Sequence, residues 1–133
     1  MPALPRRSAA ATILAMLLTV SIAACGSAGI GLSSPPPSLD PTSPVIIATD
    51  VAFDTASLAV TAGRPFVIVF ENHDSVEHNI SIYSDVSLQQ RRFQGVLFGG
   101  PSTRWYPVPA LEAGTYVFVC DLHPNMKGLV QAS

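Results

Sequence analysis

From residue 45 onward, apolar and polar positions alternate in short runs and do not recur every three to four residues. A period of two marks strands that bury one face. Residues 45–53 form the first run, rich in β-branched side chains. Residues 57–60 form the second, closed by Ala62-Gly63. Residues 65–70, P-F-V-I-V-F, read as a buried strand that ends at the turn-forming Glu71-Asn72-His73-Asp74. Residues 78–83 alternate well, and residues 104–108 form a shorter candidate. Residues 115–120 follow the turn at Ala113-Gly114, and residues 127–131 close the chain. No long amphipathic helix competes with these runs. The folded part is therefore predicted to be all-β, a Greek-key β-sandwich of about seven strands. Residues 84–101 break the pattern with Gln89, Gln90, Arg91, Arg92 and Gly99-Gly100. A helical turn is expected over residues 86–92. The remainder is expected to be a long loop, of a kind that is often functional or mobile.

Residues 1–44 carry no such alternation. Arg6 and Arg7 precede an apolar stretch over residues 9–20, and small residues lead to Cys25. This is the plan of an export signal over residues 1–24, too short and too diluted with Ala and Thr to span a membrane comfortably. Its end, Ile22-Ala23-Ala24-Cys25, resembles the bacterial lipobox. The resemblance implies that Cys25 is lipidated and becomes the mature N-terminus. The alternatives are ordinary cleavage near Ala24, which leaves Cys25 a free thiol, and a retained helix. Ser8-Ala9-Ala10 after the two arginines fits the twin-arginine export pattern poorly. Residues 25–44 are rich in Gly, Ser and Pro, with Pro35-Pro36-Pro37 at their centre. They read as a flexible, lipid-anchored linker holding a domain at residues 45–133 up to about 50 Å from a membrane.

Charge narrows the choice of partner. Without Arg6 and Arg7 the chain has a net charge of about −4, which argues against nucleic acid and allows steering toward a basic partner. Cysteine usage narrows the chemistry. With Cys25 lipidated, Cys120 has no partner in an oxidising compartment, and an unpaired thiol there is a liability unless buried or metal-bound.

Cys120 stands in V-F-V-C-D-L-H-P-N-M-K-G, so a thiol, an imidazole (His123) and a thioether (Met126) come from one short connection between two strands. Pro124 stiffens that connection. A thiolate and two imidazoles with a weak axial thioether form the ligand set of electron-transfer copper. The second imidazole comes from His73 or His78. His78 is preferred because it starts a strand, whereas His73 lies in a polar turn. Asp74 and Glu77 read as solvated turn residues, and Trp105 and Tyr106 as core and strand-end residues. Asn125, or nothing, could replace Met126 on the axis. Zinc fits less well, because a structural zinc site wants four Cys or His ligands and thioether suits it poorly.

Glu77-His78-Asn79 and the run from Cys120 to Gly128 resemble the blue copper proteins, or cupredoxins. The short C-x-x-H-P-x-M turn is most similar to the amicyanin branch. The resemblance covers most of the chain from Phe53 on. It implies one type 1 copper ion with His78, Cys120 and His123 in the equatorial plane and Met126 on the axis. It also implies that Asn79 ties the two ligand segments together, with its backbone N–H toward the sulfur. His123 would carry electrons at its solvent-facing edge, with Pro124 and Met126 in the apolar patch around it. Residues 84–101 match neither amicyanin nor plastocyanin, and instead resemble small cupredoxin-domain proteins of bacterial envelopes.

The function expected is single-electron transport between a donor and an acceptor protein at the outer face of a bacterial membrane, by a monomer anchored through Cys25. Copper delivery or sequestration is the alternative. It is disfavoured because Met126 is the only methionine left after the signal. A copper enzyme would need further histidines, and only His73 is left over.

Overall fold

The structure, a computed structural model, describes residues 29–133. The predicted signal over residues 1–24 and the lipidation site Cys25 lie outside the described residues. Those described form eleven strands and no helix. In chain order they are β1 (Val45–Thr49), β2 (Ala52–Phe53), β3 (Ser57–Val60), β4 (Phe66–Asn72), β5 (Glu77–His78), β6 (Ser81–Tyr83), β7 (Arg91–Gln94), β8 (Phe98–Gly99), β9 (Ser102–Val108), β10 (Gly114–Val119) and β11 (Lys127–Ala132).

One sheet has the order β2-β1-β4-β9, the other β3-β11-β10-β6-β7, and β5 pairs with β8 apart from both. β1 runs parallel to β4 and β3 parallel to β11, while the remaining pairs are antiparallel. The chain crosses between the two sheets at β2–β3, β3–β4 and β9–β10, which lets each sheet bury one face against the other. Alternation decides which face. β1 turns Ile46 and Ala48 inward, β4 turns Ile68, Phe70 and Asn72 inward, and β11 turns Val130 and Ala132 inward. Phe53 of β2 joins the layers. Its ring lies 6.0 Å from Phe70 in one sheet and 5.5 Å from Phe118 in the other.

All seven predicted strand runs carry strands, though two of them are interrupted. β1 and β2 are separated by Asp50 and Val51, and β5 and β6 by Asn79 and Ile80. The expected helical turn over residues 86–92 is not there. The Asp85 carboxylate accepts from the Ser87 N–H at 2.8 Å, and Leu88 turns left-handed at φ 55°. The chain then enters β7, paired with β6. The supposed long loop therefore contributes two strands. Each rests on a single deeply buried phenylalanine, Phe93 or Phe98, too sparse a signal to read as a period.

The linker reading also needs correction from residue 29 onward. Ile30 N–H donates to Gln94 O at 2.8 Å and its carbonyl accepts from Val96 N–H at 3.2 Å. Leu32 exchanges both backbone bonds with Trp105, at 2.8 and 3.2 Å. β7 and β9 are the edge strands of the two sheets, so this short strap spans from one sheet edge to the other. Edge strands carry unpaired backbone groups, and the strap pairs some of them. Glycine permits the approach. A Cβ on Gly31 would lie 2.5 Å from Val96 Cγ1 and 2.9 Å from Tyr106 Cε1. Farther on, the Asp40 carboxylate accepts from the Thr42 N–H at 2.8 Å, forming a turn that leads into β1.

Candidate metal centre

The connection from β10 to β11 is closed by its own backbone. His123 N–H donates to Cys120 O at 3.2 Å, Met126 N–H to His123 O at 2.8 Å, and Cys120 N–H to Met126 O at 3.0 Å. Residues at three-position intervals are thereby folded back toward one point. Cys120 and Met126 are buried in the core cluster, whereas His123 is half-buried and Pro124 is exposed.

His78 reaches the same point from β5, where its backbone pairs with Phe98 of β8. Its ring is fully buried. His78 Nδ1 lies 3.1 Å from His123 Nδ1 and 3.7 Å from Cys120 Sγ, and His123 Nδ1 lies 3.6 Å from that sulfur. A circle through the three atoms has a radius of about 2.0 Å, close to bonding distance for nitrogen and thiolate ligands of a divalent metal ion. One ion at the centre would reach all three donors. These are the described His, Cys, Asp or Glu residues that form a metal-sized group.

The outer contacts favour the same use. His78 Nε2 lies 2.9 Å from Asp74 Oδ2. A carboxylate only accepts, so Nε2 carries the proton and the Nδ1 lone pair faces the cluster. The Asp74 carboxylate also accepts from the Asp50 and Val51 N–H groups at 2.8 and 3.0 Å. Both residues are left-handed, with φ of 53° and 58°, an uncommon conformation that is especially strained for a β-branched valine. The Val51 N–H, followed by the proton from His78, holds the Asp74 carboxyl below its ordinary range against the opposing effect of burial. Asn72 supports the arrangement. Its Oδ1 accepts from Asp74 N–H at 2.9 Å, and its Nδ2 donates to Val76 O and Phe98 O at 2.9 and 2.8 Å.

Asp74 is therefore not a solvated turn residue. The spacing Asp74-x-x-x-His78 was the available signal, a carboxylate four positions before a candidate ligand. His73 lies outside the cluster. It is exposed, with Nε2 3.2 Å from Glu71 Oε2 and Nδ1 3.5 Å from Thr49 Oγ1. Asn79, fully buried, links the two ligand segments. Its Oδ1 accepts from Asp121 N–H at 2.9 Å, and its Nδ2 donates to Asp121 Oδ2 and Gly95 O at 2.8 and 2.9 Å. Trp105 is half-buried in β9, and Tyr106 is fully buried with its hydroxyl donating to Val96 O at 2.7 Å.

A family model described as a cupredoxin-like domain matches residues 11–131. Three solved structures are similar in fold. Amicyanin from Paracoccus versutus (Thiobacillus versutus) is 20% identical, with a TM-score of 0.55 over 71% of this chain and 85% of that one. Auracyanin A, a "blue" copper protein from Chloroflexus aurantiacus, is 22% identical, with a TM-score of 0.60 over 67% and 96%. Reduced auracyanin from Roseiflexus castenholzii is 19% identical, with a TM-score of 0.61 over 72% and 99%. No curated protein matches the sequence.

Proposed function

The chain belongs to the cupredoxin-like domain family, and from that membership we propose that it is a type 1 copper protein carrying single electrons at the outer face of a bacterial membrane. The observation that carries this reading is the triangle of His78 Nδ1, Cys120 Sγ and His123 Nδ1, sized for one ion. These three residues would hold the ion, with the thioether of Met126, buried at the end of the same turn, as a further, weaker ligand. The thiolate and thioether favour Cu(I), the imidazoles suit both oxidation states, and the bound ion supplies a one-electron change.

The chain supplies the rest. Asp74 keeps the His78 lone pair directed inward. The backbone bonds of residues 120–126 and the buried Asn79 hold the ligand segments in place, so the donors need rearrange little as charge changes. His123 is the half-buried ligand and offers the route outward. Leu122, Val51 and Val76, each about half exposed, stand next to site residues in the chain or by hydrogen bond and suit docking of a redox partner. A carrier needs no second metal centre, and no further group of histidines exists to hold one.

The protein is exported and anchored through Cys25. Cys25 stands four residues before Gly29, so at most about 14 Å of extended chain separates the anchor from the docked strap. The domain would then sit close to the membrane and not at the end of a long tether. Its donor and acceptor are proteins, with electrostatics favouring a basic docking face.

Copper reconstitution of residues 29–133, followed by optical and EPR spectra, tests the reading. The expected result is an intense thiolate-to-copper band and a reversible couple, with the band lost in Cys120→Ser. A colourless complex that surrenders Cu(I) readily to a chelator would point to copper handling. Fatty-acid labelling that persists in Cys25→Ala would remove the anchor.

A further inference from the structure

Asp121, between the ligand Cys120 and the exposed Leu122, has an unusual set of partners. Its Oδ2 accepts from Ser81 Oγ at 2.7 Å, from Asn79 Nδ2 at 2.8 Å and from Gln94 Nε2 at 3.2 Å. Its Oδ1 accepts from Tyr83 OH at 3.1 Å. The donors come from β6, β7 and the residue after β5, and two of them, Asn79 and Ser81, are fully buried. All four are neutral. The ion pairs among the described residues are Glu71–His73 and Asp74–His78, and neither includes Asp121. The carboxylate is thus solvated by side-chain dipoles, and the neighbouring Arg91 acts on the Tyr83 hydroxyl without pairing with the carboxylate itself.

Such an arrangement keeps a carboxylate ionised inside protein. Hydrogen bonds to the charged form favour that form, and here four donors are aimed at the two carboxylate oxygens. Charge-assisted bonds also fix its position. The result is a stationary negative charge one residue from the thiolate, at a half-buried position where its field is screened less than in bulk water.

We propose that the Asp121 carboxylate is a tuning residue that stabilises the more positive oxidation state of the bound copper and so holds the reduction potential down. This rests on the copper reading above and extends it. The Cu(II) site carries one more positive charge than the Cu(I) site, so a fixed anion nearby lowers the energy of the oxidised form more. The same group also ties the ligand turn to β6 and β7, which gives it a separate structural role.

The test compares wild-type protein with Asp121→Asn, a change that keeps the side-chain shape and removes the charge. Both are loaded with copper and titrated electrochemically in low and high salt. The midpoint of Asp121→Asn is expected to shift positive. At a fixed poise the Cu(I):Cu(II) ratio should rise roughly tenfold, the scale expected of one unit charge at nearby-residue distance in a medium of intermediate dielectric. The blue band should remain. The shift should survive high salt in part, because the carboxylate is half-buried among its donors, whereas salt suppresses effects of freely exposed charges. A blue variant with an unshifted or negative-shifted midpoint overturns the tuning role and leaves only the clamp, visible as a lower melting temperature of the copper-free protein.

If Asp121→Asn does not fold, Gln94→Lys decides the matter, because it sets a cation against the carboxylate from a half-exposed position. It is expected to shift the midpoint positive, and no shift overturns the proposal. A wild-type protein that binds copper without colour would instead overturn the copper reading itself, which keeps the two failures apart.

Discussion

At His78 two ring nitrogens are available, and the partner of one determines the use of the other. Asp74 accepts a hydrogen bond from the protonated Nε2 at 2.9 Å and is itself held by two backbone N–H groups of the β1–β2 turn. Asp74→Ala removes the acceptor, frees the tautomer and leaves those N–H groups without their partner. Losing such an outer contact commonly costs about 10–100-fold in metal affinity, and that loss is expected here. Competition with a copper chelator measures it, and unchanged affinity would mean that burial alone orients the ring. The sequence made Cys120, His123 and Met126 legible because they share one turn. Asp74 was harder to see because the groups that hold it, Asp50 and Val51, stand more than twenty positions away in the chain.

The strands themselves were largely legible, since alternation of buried and exposed positions is a local property and β4 and β11 display it plainly. β7, β8 and the strap were not. Each contributes few buried side chains, and each is held by backbone hydrogen bonds, to which every residue type but proline contributes equally. At the strap the one local clue was the spacing of Gly29 and Gly31, small residues where the chain passes over Gly95 and Tyr106. Gly31→Val is expected to displace the strap, because its side chain would meet Val96 and Tyr106. Forcing extra carbons into a packed contact typically costs about 1–3 kcal/mol, and thermal denaturation should show a loss of that size. Hydrogen exchange gives a more specific reading. The Val96 and Trp105 amides, which donate to Ile30 and Leu32, should lose protection while the β10–β11 amides keep theirs.

For the molecule as a whole, the strap moves the boundary of the folded unit. A chain of residues 45–133 lacks the pieces that join the outer edges of the two sheets. It is expected to melt at a lower temperature than residues 29–133, and equal melting temperatures would restore the free-linker reading. Acid is a second whole-molecule probe. Asp74 and Asp121 both titrate below their ordinary value of 3.8 in the folded protein. Near that pH the unfolded chain binds more protons than the folded one, so stability falls as pH falls. Their contribution is present in full above the unfolded value and is lost as pH drops through the lower folded values. Denaturant titrations of the copper-free protein between pH 6 and pH 2 should show that decline, and Asp74→Ala should flatten it. By itself the sequence determined what is local: an all-β chain and a turn bearing a thiol, an imidazole and a thioether. Only the tertiary structure decided how His78 meets that turn, which carboxylate orients it, and where the strap closes the sandwich edge. These depend on contacts between residues distant in the chain, where no single segment carries the signal and the energy comes from burial and hydrogen bonds made only once both sheets are in place.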